Sequence, residues 1–144
     1  MPALLALSTR PAEAQRFNVR SYTNTDGLPQ RQVFAVLQDR VGYLWFGTYG
    51  GVSRYDGDRF RTFDTGSGLS ANTVLDLAED GAGRLVVATQ GGGLCVREGD
   101  RFRIVRKGPD LVNDDVQRIT RDRDGTLWVA TEGGITHLDR KSVV

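Results

Sequence analysis

Gly42-Tyr43-Leu44-Trp45-Phe46-Gly47-Thr48-Tyr49-Gly50-Gly51 is followed by Gly83-Arg84-Leu85-Val86-Val87-Ala88-Thr89-Gln90-Gly91-Gly92. A third version reads Gly125-Thr126-Leu127-Trp128-Val129-Ala130-Thr131-Glu132-Gly133-Gly134. From Gly42 to Gly83 is 41 residues, and from Gly83 to Gly125 is 42. Other columns keep this register. Asp39, Asp80 and Asp122 each stand three residues before the leading glycine. Leu28, Leu69 and Leu111 open the copies, and Val33, Val74 and Val116 continue them. Asp58-Arg59-Phe60-Arg61 returns as Asp100-Arg101-Phe102-Arg103 after one inserted glycine, Gly93. A fixed period across so many columns marks a repeat architecture.

The composition agrees. Eighteen glycines occur in 144 residues, where average usage predicts roughly ten, and most recur at turn positions of the repeat. A chain that is 39% hydrophobic and 26% charged carries enough apolar surface to form a core. Nineteen Lys and Arg against 18 Asp and Glu leave a net charge of +1. That balance gives no global attraction to polyanions, so no nucleic-acid partner is expected. No stretch approaches the ~18 consecutive apolar residues of a membrane span.

Each copy reads as four short strands separated by tight turns. Val33 to Gln38 is a compact apolar run, closed by Asp39-Arg40-Val41-Gly42. Aspartate bonds nearby backbone and glycine accepts positive φ, so the pair suits a turn. Leu44 to Thr48 is a second strand, Val52 to Tyr55 a third and Arg59 to Phe63 a fourth, with Phe60 and Phe63 as candidate core contacts. The i, i+3 spacing of Val33/Val36, Val74/Leu77 and Val116/Ile119 also suits a helical turn. The segments are too short and too tightly bounded for a stable helix, so strand is preferred. A four-stranded meander every 40 to 45 residues is the mark of a propeller blade. The predicted fold is therefore all-β, a partial β-propeller. Its segments are 1–16 as a signal-peptide remnant or disordered tail, 17–64 as blade 1, 65–106 as blade 2 and 107–144 as incomplete blade 3.

With these motifs in view, the chain resembles the two-component regulator propeller repeat family. The family pattern appears most fully at Val33 to Val52, preceded by Asp26-Gly27-Leu28-Pro29 and closed by Tyr55-Asp56-Gly57. The second copy departs from it with Val86 at the tryptophan position. Ala88 and Ala130 stand where the first copy has Gly47, and the third copy opens on Asp110-Leu111-Val112. The resemblance implies the periplasmic input region of a bacterial membrane-bound sensor. The intact parent would add a membrane span and an output such as a histidine kinase or diguanylate cyclase. It further implies a non-catalytic ligand-sensing role, with an unknown small-molecule or saccharide partner and no cofactor.

The two ends lie outside the repeat. Ala3 to Leu7 is apolar and Ala12-Glu13-Ala14 has the small-x-small form of a signal-peptidase site, so Met1 to Gln15 is expected to be the remainder of a signal peptide. The third copy stops after Leu138, before a fourth strand, which reads as a fragment. Asp139 to Val144 can be back-translated as GAT-CGG-AAG-AGC-GTC-GTG, which matches the start of a common sequencing-library adapter, so an adapter-derived end is one expectation. An ordinary polar terminus is the alternative. Three blades cannot close a ring, so exposed blade faces are expected to drive self-association.

No residue set predicts catalysis or metal binding. His137 and Cys95 are the sole histidine and cysteine, which leaves no cluster for a metal site and a poor basis for a catalytic triad. Cys95, between Leu94 and Val96, reads as a buried structural thiol. Asp122-Arg123-Asp124-Gly125 lacks the further ligands of a calcium loop and reads as a turn. Gly91-Gly92-Gly93 likewise reads as a blade turn. Trp45 and Trp128 share a column and are expected in the core. Arg101, Arg103, Arg106 and Lys107 read as a solvated face. The rival function classes are an enzyme propeller, glycosidase or lyase, and a protein-interaction scaffold. The ligand-binding residues are unknown at this stage.

Overall fold

The structure, a computed structural model, describes residues 17 to 139. Residues 1–16, expected to be a signal-peptide remnant or tail, and 140–144, the last five of the expected adapter-like end, lie outside that range. Three antiparallel meanders follow one another. The first sheet holds β1 (Val33–Gln38), β2 (Leu44–Thr48), β3 (Gly51–Tyr55) and β4 (Phe60–Phe63). The second holds β5 (Val74–Glu79), β6 (Leu85–Thr89), β7 (Gly93–Glu98) and β8 (Arg101–Val105). The third, among the described residues, has β9 (Val116–Arg121), β10 (Leu127–Thr131) and β11 (Gly134–Leu138). The fold is all-β and propeller-like, as the repeat predicts.

The i, i+3 spacing that also suited a helix has a different cause. Each first strand carries a bulge against its neighbour, after Val33, Val74 and Val116. The extra residue resets the two-residue alternation, so Val74 and Leu77 both enter one core and Val116 and Ile119 both enter the next. Val36 is the exception at 63% exposure. No preceding sheet covers it among the described residues.

Two cores lie between the sheets. Trp45, Val52 and Phe63 of the first sheet meet Leu77, Leu85, Val87 and Cys95 of the second. Val86, Ala88, Leu94 and Val96 on the opposite face of the second sheet meet Val116, Leu127, Val129 and Leu138 of the third. The second sheet is thus covered on both faces, which is why all of β6 is buried and its sequence lacks polar alternation. The opening leucines, Leu28, Leu69 and Leu111, are all buried. A short 3₁₀ turn precedes the first two, Asn24–Asp26 and Thr65–Ser67, each closed by a left-handed glycine.

One carboxylate organises each first hairpin. Asp39 Oδ1 accepts from the backbone N–H of Val41, Gly42 and Tyr43, at 3.0, 2.9 and 3.0 Å. Its Oδ2 accepts the indole N–H of Trp45 at 2.8 Å. Asp122 repeats the pattern, with Asp124 and Thr126 N–H on Oδ1 and the Trp128 indole on Oδ2 at 3.2 Å. The middle copy has no tryptophan. There the Arg84 Nε donates to Asp80 Oδ2 at 2.8 Å while Ala82 and Arg84 N–H occupy Oδ1. Valine at position 86 is tolerated because Arg84 replaces the lost donor.

The second hairpin is fixed by threonine and glycine. Thr48, Thr89 and Thr131 donate to the carbonyls of Gly51, Gly93 and Gly134 at 3.0, 2.8 and 2.8 Å. Gly51 has φ +115°, and a Cβ there would stand 2.2 Å from the Phe63 carbonyl oxygen. Any side chain would force β3 and β4 apart.

Two outcomes test this construction by urea denaturation. Asp39→Ala, which orphans the buried Trp45 indole, is expected to cost about 2–3 kcal/mol. A double-mutant cycle of Asp80→Ala with Arg84→Ala should give a coupling of about 1 kcal/mol. Additive effects would show that Arg84 does not stand in for the indole.

Candidate ligand-binding face

The first strands of the three sheets lie side by side, β5 between β1 and β9. In a propeller these are the strands nearest the axis. Leu37 and Gln38, Ala78 and Glu79, and Thr120 and Arg121 line a cleft of about 410 Å³ along them. A second hollow of similar volume, about 410 Å³, opens at the strand ends between Arg40, Gly81, Arg121, Arg123 and Asp124. Arg121 belongs to both. The two hollows therefore form one concave surface, apolar along the strands and charged at the turns.

Its charges are held by neighbouring sheets rather than by their own. Arg40 Nε lies 2.8 Å from Glu79 Oε1, and the Arg40 backbone N–H donates to Oε2 at 2.9 Å. The same guanidinium donates to the Asp80 and Gly81 carbonyls, both at 3.2 Å. Arg121 Nη1 donates to the Glu79 carbonyl at 3.4 Å. One strand away, Asp76 Oδ2 accepts the Ile119 backbone N–H at 2.8 Å, joining β5 to β9. Among the described residues the Arg123 guanidinium makes no hydrogen bond or ion pair, so it is open to a ligand.

The residues singled out from sequence fall as follows. Cys95 is fully buried, its sulfur 3.1 Å from Ser70 Oγ, which suits a structural thiol. Asp122 serves its turn and the indole, with Arg123, Asp124 and Gly125 in the same turn. Gly91 and Gly92 lie in the β6–β7 connection and Gly93 opens β7, its N–H reaching the Asp114 carbonyl at 2.8 Å. Arg101, Arg106 and Lys107 are exposed and Arg103 is half-buried against Glu98 at 3.1 Å. Trp45 is in the core at 0% exposure, but Trp128 is 45% exposed. The expectation of core packing fails for Trp128 because no described sheet lies over its face. It stacks instead on His137, ring centroids 4.2 Å apart.

Sequence reasoning did not single out Gln38, Glu79 and Arg121. They share a repeat column, and their change from neutral to acidic to basic, amid columns that hold still, was the available signal.

Asp122 gives the surface a pH signature. Partial desolvation pushes its carboxyl up, but the hydrogen bonds from Trp128, Thr126 and Asp124 and the nearby His137 outweigh this and hold it below its ordinary 3.8. Because the folded value is depressed, the stabilisation is present above 3.8 and is lost as pH falls through the folded value. A carbon-detected NMR titration should place the Asp122 midpoint below 3.8, with the Trp128 indole proton moving in step. Among the described residues no helix is long and apolar enough to cross a membrane.

Comparison with known proteins fits this geometry. Residues 27–50 and 110–133 match the family model of the two component regulator propeller. The middle copy, with Val86 for tryptophan, falls between the matched stretches. Over 61 residues the chain is 38% identical to histidine kinase P4 of Formosa agariphila, covering 42% of this chain and 4% of that protein. The extracellular domain assigned to the hybrid two component system BT3049 of B. thetaiotaomicron superposes with a TM-score of 0.69 at 27% identity. That match covers 86% of this chain and 20% of the other. The corresponding domain of BT4673 from the same organism gives 0.66 at 22% identity, over 80% and 18% of the two chains, and shares the fold. The chain thus spans a small part of the proteins it matches. The first and third copies match the two component regulator propeller repeat, and that is the family the chain is similar to.

Proposed function

We propose that this chain is part of the extracytoplasmic, ligand-sensing input region of a bacterial two-component-type sensor, without catalysis of its own. The observation that carries the reading is the concave wall of β1, β5 and β9. It brings Gln38, Glu79 and Arg121 to one cleft that Leu37 and Ala78 also line. Hydrogen-bonding groups beside apolar lining suit a small polar ligand, of which a saccharide is the leading class. The relatedness to a histidine kinase and to an extracellular sensor domain supports a periplasmic location and a kinase output in the intact protein. Membrane attachment then belongs to other segments of that protein.

Catalysis has little support here. Glu79 is tied to Arg40, and Asp80 and Asp122 are spent on their turns, so these three carboxylates are not available as an acid–base pair for glycoside hydrolysis. A second reading, association through blade faces, is favoured by one observation. Trp128, Ile135 and Val112 are 45%, 71% and 41% exposed on the third sheet and its approach.

Two measurements test these readings. In a thermal-shift panel of small neutral and acidic saccharides, at least one class should raise Tm by several degrees, with the gain lost in Arg121→Ala. Chromatography of the mixtures should show the saccharide unaltered; released product would replace the sensor with an enzyme. Light scattering of the purified chain should show concentration-dependent association that Trp128→Ser with Ile135→Ser abolishes. A concentration-independent monomer would remove the second reading.

A further inference from the structure

Away from the channel side, one charged cluster has no role in the fold or in the reading above. Arg54 on β3 and Arg61 on β4 face each other directly across the first sheet. Like charges so paired repel. Arg97 on β7 of the second sheet joins them across the seam. All three guanidinium groups lie on aromatic rings. Arg54 is 4.6 Å from the Tyr43 centroid and 5.8 Å from Trp45, and Arg61 is 4.7 Å from Phe63. Arg97 is 5.2 Å from Trp45 and 5.9 Å from Phe63.

Their counter-charge is thin. Among the described residues only Asp100 comes within ion-pair distance, 3.7 Å from Arg61 and 3.8 Å from Arg97, and it is 76% exposed, where a pair is screened and weak. Asp39 acts on Arg97 and Asp56 on Arg54 only at longer range. The buried Arg97 Nε has no hydrogen-bond partner. Burial, then the Arg54 charge, lowers the Arg97 pKa, with Asp100 and Asp39 opposing and Arg61 adding to the fall. A guanidinium nevertheless stays protonated. Ring stacking explains each arginine singly but not the gathering of three around one exposed ion-pairing carboxylate. Stacking uses the faces of the guanidinium planes and leaves the in-plane N–H donors for an acceptor. Planar forks of this kind match oxyanions.

We propose that Arg54, Arg61 and Arg97 form a binding site for an oxyanion, a sulfate or carboxylate group, at the outer seam between the first two sheets. The site stands apart from the channel-side face and does not depend on it. The anion would neutralise the cluster and draw the two sheets together.

Trp45 lies beneath the cluster and is a built-in reporter. In the chain carrying Trp128→Phe it is the sole indole. Sodium sulfate and sodium glucuronate are titrated against sodium chloride at matched ionic strength. A saturable change in Trp45 emission, with a midpoint below ~10 mM in at least one arm and absent with chloride, is expected. The midpoint should rise at least about tenfold in Arg54→Gln/Arg61→Gln. Response in the sulfate arm alone identifies sulfate groups, and in the glucuronate arm alone carboxylates. No response beyond chloride, or an unchanged midpoint in the arginine variant, overturns the proposal. Should Trp128→Phe not fold, the Arg97 Nε–H resonance of the unsubstituted chain gives the same readout. Its failure to move with either anion is equally decisive.

Discussion

Every sheet here is made of short strands with apolar side chains on both faces, and such a sheet is stable only when a neighbour covers it. The covering is visible at the first seam, where Trp45 is sealed by Leu77, Leu85, Val87 and Cys95. The second sheet, covered twice, is the most apolar. The third shows the constraint from the other side. Trp128 keeps its bond to Asp122 yet remains 45% exposed, with a histidine on its ring in place of a following sheet. A repeat of this kind owes its stability to contacts between copies as much as within them.

The local geometry serves that stacking. An aspartate at the end of each first strand closes the turn with one oxygen and aims a side chain with the other. The aimed group is an indole in the first and third copies and a guanidinium in the second. Both place a hydrogen-bonded group at the base of the seam. The Thr-Gly hairpin at the other end holds the middle strands close enough for Gly51 and Gly93 to meet backbone carbonyls.

Much of this was legible in the sequence, because turns and cores recur in fixed columns. Asp39, Asp80 and Asp122, the buried leucines and the strand runs all followed from the period. What was not legible depended on relations between copies. The helical-looking valine spacing came from a bulge, which only the register of paired strands reveals. The burial of Trp45 and exposure of Trp128 cannot be told from identical column positions, since the difference lies in what covers them. Arg84 as a substitute donor needed the direction of a side chain. The channel-side residues carried a faint trace, a column whose charge varies, and the arginine cluster at the seam carried none. Its members come from two sheets and different columns, so only packing brings them together.

Hydrogen exchange of the two indole N–H groups, followed by NMR on the whole chain, tests the covering of one sheet by the next most directly. Both groups bond to an equivalent aspartate, so their difference reports cover rather than hydrogen bonding. The Trp45 indole proton should exchange slowly, on the scale of the core amides and at least about 100-fold slower than Trp128. Equal, fast exchange at both positions would contradict the account.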